Sequence, residues 1–452
     1  MGGVFLCLKI YWSMKLHKNQ KIHFIGIGGV SQSKLALMLK NFGFEVSGSD
    51  RQDSTEVKEL RSKGIKVFVP HNKNAVDGAD VVVFNGAISE DNPELNRAGE
   101  LGLKIVKRSQ MLAKLSRLYK ESVAVCGSHG KTTTTALLNF VLEEFEPQMH
   151  IGGNLIGVPF EVSNKKDLFV SEACEFQKSF LDMSPDYAVM LNIDADHLDC
   201  YAGGIEEIES TFLQFAKQVK KVLIFNNEDE RAKRVARKAK HLKTISFGKG
   251  ADVEAYNVRQ NKKGLRFELF YKGEFVCPVT VKLYGRHGVL NTLAACAAAI
   301  VFGRQDICEK LKNFAGVERR MQFLGKLKDN VVVHDYAHHP EEIAASIKAV
   351  RQHFRKPVVA VFEPHTYSRT KALWDDFTKC FNGAESVYLL PIYSARERAL
   401  PGITSSNLAD AVSGSSYVSN KAELIKKLEN YEKCIILVMG AGSIEKIAHG
   451  LV

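Results

Sequence analysis

Short runs of consecutive apolar residues recur along the chain. Each ends in glycines or polar side chains and is followed by a segment whose apolar residues lie three or four apart. Runs of this length predict strands buried on both faces, and the spaced segments predict helices. Lys21–Ile25 is predicted as a strand, 26–31 as a turn, and Leu35, Ala36, Met38 and Leu39 as one helix face. Further strands are predicted at 44–48, 80–84, 122–126, 167–171 and 186–191, then at 331–333, 358–362, 386–390 and 434–438. Residues 265–270 and 276–283 alternate across Lys272-Gly273 and predict a hairpin, with a helix from about Val289 to Val301. Strands alternating with helices predict an α/β protein with mostly parallel sheets. Three units are expected: 20–118, 119–317 and 318–452.

Two turns carry the strongest chemistry. Gly127-Ser128-His129-Gly130 follows a predicted strand, and Lys131, Thr132 and Thr133 open a predicted helix. Backbone N–H groups and a helix N-terminus face an anion there. Lys131 can reach the β- and γ-phosphates of a nucleotide, and Thr132 can hold Mg²⁺. The general P-loop pattern has a glycine where this chain has Val125. The other turn, Gly26-Ile-Gly28-Gly29-Val-Ser31, sits in a Rossmann-like opening and is suited to a pyrophosphate, with Asp50 after the second strand. Ser31 occupies the third glycine position, so the dinucleotide fingerprint is broken.

Polar groups cluster at predicted strand ends. Glu172 ends one strand, and Asn192, Asp194, Asp196, His197 and Asp199 follow another. Such groups beside a P-loop are expected Mg²⁺ ligands, because the metal must bridge phosphate oxygens. In the third unit the clusters are Asp335-Tyr336-Ala-His338-His339, Glu363-Pro-His365-Thr366-Tyr-Ser-Arg369 and Ser394-Ala-Arg-Glu397. Together they read as one wall of a site.

Composition narrows the setting. The 452 residues are 45% hydrophobic and 25% charged, with a formal net charge of +11. No dense basic block or basic–aromatic stripe accompanies that charge, so phosphorylated ligands are expected rather than nucleic acid. Nine dispersed cysteines without CxxC spacing argue for a reducing compartment and against a disulfide frame or zinc ribbon. No apolar run is long enough for a membrane span, and a cytoplasmic address is expected. The segment from Met1 to Trp12 lacks a cleavage site and reads as an extension, with Met14 as the effective start.

From about Lys21 onward the chain resembles the Mur ligases. Gly127-Ser-His-Gly-Lys-Thr-Thr133, Arg319-Arg320-Met-Gln, Asp335-Tyr-Ala-His-His-Pro340, Phe362 to Thr370, Asn192 to Asp199 and Ala87 to Pro93 carry the likeness, in order. They are closest to the branch that attaches L-alanine to UDP-N-acetylmuramate. A sister branch, which attaches a recycled tripeptide, shares much of the pattern. The chain departs from the branch at Cys174 and Phe176, at Thr366, where an arginine is usual, and at Pro391, where an aspartate is usual.

The resemblance implies a Rossmann-like UDP-sugar domain, a central P-loop ATPase domain and a C-terminal Rossmann-like α/β domain that binds the amino acid. Gly28, Gly29, Ser33, Asp50, His71 and Arg108 are then expected to hold the sugar nucleotide. ATP is expected on Gly127, Ser128, His129, Gly130, Lys131, Thr132, Thr133, His287, Asn291, Arg320 and Asp335, with Thr132, Glu172 and His197 on Mg²⁺. Tyr336, His365 and Arg369 complete the substrate site, and Lys131, His197, His338 and Arg369 are the expected catalytic set. The protein is expected as a monomer or homodimer, with no nucleic-acid partner and no membrane insertion. Two other classes compete. An NAD-dependent oxidoreductase would leave the P-loop and the C-terminal clusters idle, and a non-catalytic nucleotide-binding module would not need those clusters.

Overall fold

The computed structural model describes residues 16–195, 200–261, 264–395 and 397–452, and all counts refer to these. Three α/β units follow one another, each on its own sheet. The first comprises β1 (Lys21–Ile25), α1 (Val30–Asn41), β2 (Glu45–Ser49), α2 (Thr55–Ser62), β3 (Lys66–Phe68), β4 (Val81–Phe84), α3 (Pro93–Glu100), β5 (Lys104–Lys107) and α4 (Arg108–Ser116). Its parallel strands lie in the order β3-β2-β1-β4-β5. The strand order reverses beside β1, and the Gly26–Gly29 turn leaves the carboxyl end of β1. Open α/β sheets bind ligands at such a point.

The second unit comprises β6 (Glu121–Cys126), α5 (Lys131–Val141), β7 (Gln148–His150), β8 (Leu168–Glu172), β9 (Tyr187–Met190), α6 (Gly204–Gln218), β10 (Val222–Asn226), α7 (Glu230–Lys238) and β11 (Lys243–Phe247). It continues through β12 (Val253–Asn261), β13 (Gly264–Tyr271), β14 (Glu274–Val281), α8 (Gly285–Val301) and α9 (Ile307–Lys312). Its sheet runs β14-β13-β12-β11-β10-β9-β6-β8-β7, so the P-loop strand β6 lies between β9 and β8. The expected hairpin is β13–β14, but β12 joins it and extends the sheet by three antiparallel strands. Helix α8 begins four residues earlier than expected, which puts His287 and Asn291 inside its first turns.

The third unit comprises β15 (Gln322–Leu327), β16 (Asn330–Asp335), α10 (Pro340–Phe354), β17 (Val358–Phe362), α11 (Tyr367–Ala372), α12 (Trp374–Phe377), β18 (Ser386–Leu389), α13 (Ser405–Ala411), β19 (Ser415–Tyr417), α14 (Lys421–Leu428), β20 (Ile435–Met439) and α15 (Ile444–His449). Strands β16, β20, β17, β18 and β19 are parallel, while β15 runs antiparallel on the edge. β17 and β20 are buried along their whole length, because helices cover both faces of the sheet. The polar clusters after β16, β17 and β18 therefore leave one sheet edge together.

One cysteine expectation needs correction. Cys277 of β14 and Cys308 of α9 are paired as a disulfide, with Cα atoms 6.4 Å apart, while six other described cysteines are free. It is a single cross-link and not a frame; strand and helix bring together residues 31 positions apart. No helix among the described residues is long and apolar enough to cross a membrane. Residues 1–15, including the segment read as an extension, lie outside the described residues, as do His197 and Arg396.

The first unit is braced by a buried carboxylate. Glu94 accepts from Ser49 Oγ (2.7 Å) and the Asn72 N–H (2.9 Å), and meets His23 Nε2 at 3.0 Å and His71 Nδ1 at 3.3 Å. These donors outweigh burial and hold the Glu94 carboxyl below its usual range. Glu94→Ala would leave several buried donors without an acceptor and is expected to destabilise the unit by roughly 3 kcal/mol. Chemical denaturation of the purified variant measures this, and an unchanged midpoint would refute the role of Glu94 as a brace.

Candidate active site

The P-loop is set by backbone geometry. Gly127 (φ +139°) and Gly130 (φ +86°) adopt conformations that L side chains rarely take. A Cβ on Gly130 would also lie 2.5 Å from Asn291 Oδ1 on α8. Asn192, after β9, clamps the loop: its Oδ1 accepts from the His129 N–H (2.8 Å), and its Nδ2 donates to the His129 carbonyl (3.1 Å). Thr132 and Thr133 follow on the first turn of α5, whose N–H groups face outward from its N-terminus.

Lys131 does not extend from this loop. Its ammonium donates to the carbonyls of Gly127 and Ser128 and to both oxygens of Glu175, at 3.0 and 2.9 Å. Burial works against the Lys131 charge, but the adjacent carboxylate outweighs it and holds the ammonium above its usual range. Glu175 is 1% exposed. It reaches Lys131 through a kink in which Gln177 and Lys178 take left-handed φ values of +50° and +56°. The Tyr201 hydroxyl anchors the kink by donating to the Glu175 carbonyl (2.6 Å).

Glu172, the expected Mg²⁺ ligand, accepts from the Gly152 N–H (3.1 Å) and acts electrostatically on Lys34, Arg108 and Lys131. A carboxylate at a strand end is visible in sequence. A carboxylate returned by two left-handed residues is not.

A cleft of about 570 Å³ lies between the second and third units. His129, Gly130, Thr133, His287, Asn291, Arg320 and Asp335 all line it, so seven of the expected ATP residues share one cavity. Asp335 caps the N–H groups of Met321 (2.9 Å) and Ala337 (2.8 Å), and burial pushes its carboxyl up to about 6. Burial also lowers the His287 imidazole, with His129 adding to the effect.

Beyond this cleft the C-terminal clusters form the expected wall. The Arg320 guanidinium lies over the Tyr336 ring at 4.9 Å, and His338 packs edge-on against Tyr336 and His365. His365 stacks on Tyr393 at 5.6 Å, and Arg369 Nη1 is 3.5 Å from His365 Nδ1. Burial pushes His338 down to about 4, with Glu342 opposing the shift and Arg369 adding to it. His365 falls to about 4 for the same first reason, with His338 and Arg369 adding. Both imidazoles are therefore neutral at pH 7 and able to accept hydrogen bonds. Thr366 caps α11 with φ +67°, a strained value for a β-branched residue, and Pro391 is exposed.

The first unit presents its turn to the second. The Gly28 N–H donates to Asp50 Oδ2 (2.9 Å), and Arg108 donates to Ser31 Oγ (3.0 Å), which also meets His150 Nε2 at 3.0 Å. Lys34 donates to the Gly153 carbonyl at 2.6 Å. Ser33 is buried on α1, and its hydroxyl donates to the Val30 carbonyl. Gly29 precedes α1, and His71 stands beside Ser49 at 2.8 Å.

Three family models match the chain in sequence order: "Mur ligase family, catalytic domain" over 21–120, "Mur ligase middle domain" over 125–299 and "Mur ligase, glutamate ligase domain" over 319–442. A UDP-N-acetylmuramate–L-alanine ligase of Clostridium acetobutylicum is 38% identical over 451 residues, covering 96% of this chain and 98% of its own. The chain belongs to the Mur ligase family. Among solved structures, the UDP-N-acetylmuramate–alanine ligase of Thermotoga maritima matches with a TM-score of 0.81 at 27% identity, over 96% of this chain and 98% of that one. The UDP-N-acetylmuramate:L-alanyl-γ-D-glutamyl-meso-diaminopimelate ligase of Neisseria meningitides matches at 28% identity with a TM-score of 0.59, over 67% of this chain and all of that one. Membership in the Mur ligases makes this an ATP-dependent protein.

Both its positive φ and the nearby Asn291 restrict Gly130 in this Mur ligase site. Gly130→Ala is expected to distort the loop and to weaken ATP binding at least tenfold, while leaving UDP-sugar binding unchanged. Titration calorimetry with each nucleotide checks this, and normal ATP affinity would show that the loop tolerates the side chain.

Proposed function

We propose that the chain joins L-alanine to the lactyl carboxylate of UDP-N-acetylmuramate, converting ATP to ADP and phosphate. The observation that supports this most is the near-full-length likeness to L-alanine ligases, combined with a P-loop that faces the His338–Arg369 wall. The sugar nucleotide occupies the first unit (20–118). Gly28, Gly29, Asp50, His71 and Arg108 hold it, with the pyrophosphate at the N-terminus of α1. Ser31 replaces Ser33 in that set, because it presents its hydroxyl to Arg108. The central unit (119–317) holds ATP, and the third (318–452) supplies the amino-acid wall.

A carboxylate is a poor electrophile in water. The γ-phosphoryl group of ATP is therefore transferred to a carboxylate oxygen, breaking its bond to the β-phosphate and releasing ADP. Lys131 leaves Glu175 to offset charge on the phosphoryl oxygens. The neutral amine of L-alanine then attacks the acyl carbon, loses a proton, and phosphate leaves as the amide forms. His338 and His365 orient the amine through hydrogen bonds, and Arg369 offsets charge on the tetrahedral intermediate.

Glu175 and Thr132 offer the hard oxygen ligands that fit Mg²⁺ beside the P-loop, and we place the ion there in preference to Glu172. When bound, Mg²⁺ neutralises phosphate charge. Among the described residues, His129, His339 and Glu341 bring ligand atoms within 4.8 Å of one another, but two imidazoles suit Mg²⁺ poorly.

Lys131→Ala is expected to lower kcat at least about a hundredfold and to leave UDP-sugar affinity unchanged. Near-normal turnover would remove Lys131 from the chemistry. Glu175→Gln is expected to raise the Mg²⁺ concentration for half-maximal rate well above that of Glu172→Gln, and the reverse order would return the metal to Glu172. Heavy oxygen in the sugar's carboxylate should appear in released phosphate, with L-alanine preferred over the tripeptide. Label confined to the amide and water would exclude the acyl phosphate.

A further inference from the structure

We propose that Glu342 is a positioning residue that ties the P-loop to the amino-acid wall, so that the two halves of the site assemble together. The inference rests on the ligase reading and deepens it. Glu342 lies on the first turn of α10, and its two oxygens serve different units. Oε1 is 3.3 Å from Nδ1 of the P-loop residue His129, which lies 213 positions away in sequence. Oε2 accepts from the backbone N–H groups of His338 (3.1 Å) and His339 (3.4 Å), and lies 3.4 Å from His338 Nδ1.

Both imidazoles are fixed from their other sides. Asn192 clamps the main chain of His129, so its ring can meet Glu342 only where β9 and the P-loop hold it. His338 Nδ1 also lies 2.9 Å from the Tyr336 carbonyl. A proton on Nδ1 is donated to the Tyr336 carbonyl, with the Glu342 charge close by favouring that tautomer, and this leaves Nε2 as the acceptor available to an incoming amine. The Glu342 carboxyl is held well below its usual range: burial opposes its charge, but His338, His129 and Arg320 outweigh it. It is therefore an anion enclosed by groups from two units.

Glu342 is also the N3 residue of a capping box with His339. A cap alone would need only the local N–H groups. The contact with His129 adds a link between units that helix capping does not require. Moving the third unit away from the P-loop would break that contact and leave a half-buried carboxylate short of a partner. Closure is thereby coupled to the orientation of His338.

A double-mutant cycle with Glu342→Gln and His129→Gln in the full chain tests this. Gln keeps an acceptor for the cap but loses the charge. Each single variant is expected to lower kcat/KM for L-alanine, with KM for UDP-N-acetylmuramate unchanged. The double variant should be no worse than the more impaired single one, a coupling of about tenfold. Losses that multiply independently, or Glu342→Gln matching the parent, would reduce Glu342 to a cap and overturn the proposal. X-ray scattering with a non-hydrolysable ATP analogue reads the link without ligation: the parent should be more compact than either single variant, and equal compactness overturns it. Should the parent form no L-alanine amide, the ligase reading fails, while the scattering result still decides whether the link exists.

Discussion

The site depends on one buried ion pair, Lys131 with Glu175. An ammonium cannot remain charged in a protein interior without a partner. Here the partner is a carboxylate 2.9 Å away that is itself nearly inaccessible to water. The pair keeps the phosphate-binding lysine charged and folded back over its own loop. In the proposed reaction an incoming triphosphate offers the same ammonium a denser negative charge, so Lys131 would exchange one partner for another and free Glu175 to take a metal ion. The cradle and the proposed metal position would then be two states of one electrostatic arrangement.

The order of the sheets explains how three separate phosphate- and amine-facing edges meet. In each unit the polar residues follow the carboxyl ends of parallel strands, where helix N-termini also point. Lys34 and Ser31 join the first of these edges to the segment after β7, and Glu342 joins the third to the P-loop. The first and second units also share an apolar seam, in which Phe42 packs edge-on against Tyr119 and Tyr119 lies against Phe169, whereas the third unit meets the P-loop through the polar contact of Glu342 with His129.

Much of the fold was legible because the strands of doubly covered sheets are near-continuous apolar runs. Val358–Phe362 and Lys21–Ile25 are found as expected, and the P-loop strand begins one residue earlier and ends where expected, at Cys126. Two strands with exposed polar residues were not legible: the edge strand β15 (Gln322–Leu327), and β12 (Val253–Asn261), which lies between β11 and β13. The site divides in the same way. Residues fixed by local turns, such as Gly130 and Lys131, announce themselves. Glu175 depends on a left-handed kink. Glu342 reads as an ordinary first-turn acid until His129 is placed beside it.

Thr366 shows how a departure from the family pattern can be absorbed. The arginine usual there would add a second cation near Arg369, and its loss leaves less positive charge facing a phosphate or a carboxylate. The backbone at Thr366 nonetheless forms a defined turn. Thr366 holds φ +67° and uses its hydroxyl to cap the Arg369 N–H at 3.4 Å, so the turn that aims Arg369 persists without the guanidinium. Strain of this kind survives only where surrounding contacts over-determine it. Here the Thr366 N–H donates to the Tyr393 carbonyl (2.9 Å), and Ser368 is held by Glu397 (2.7 Å). The clusters after β17 and β18 therefore brace one another. That mutual bracing, more than the identity of residue 366, is what keeps Arg369 and His365 on the same wall.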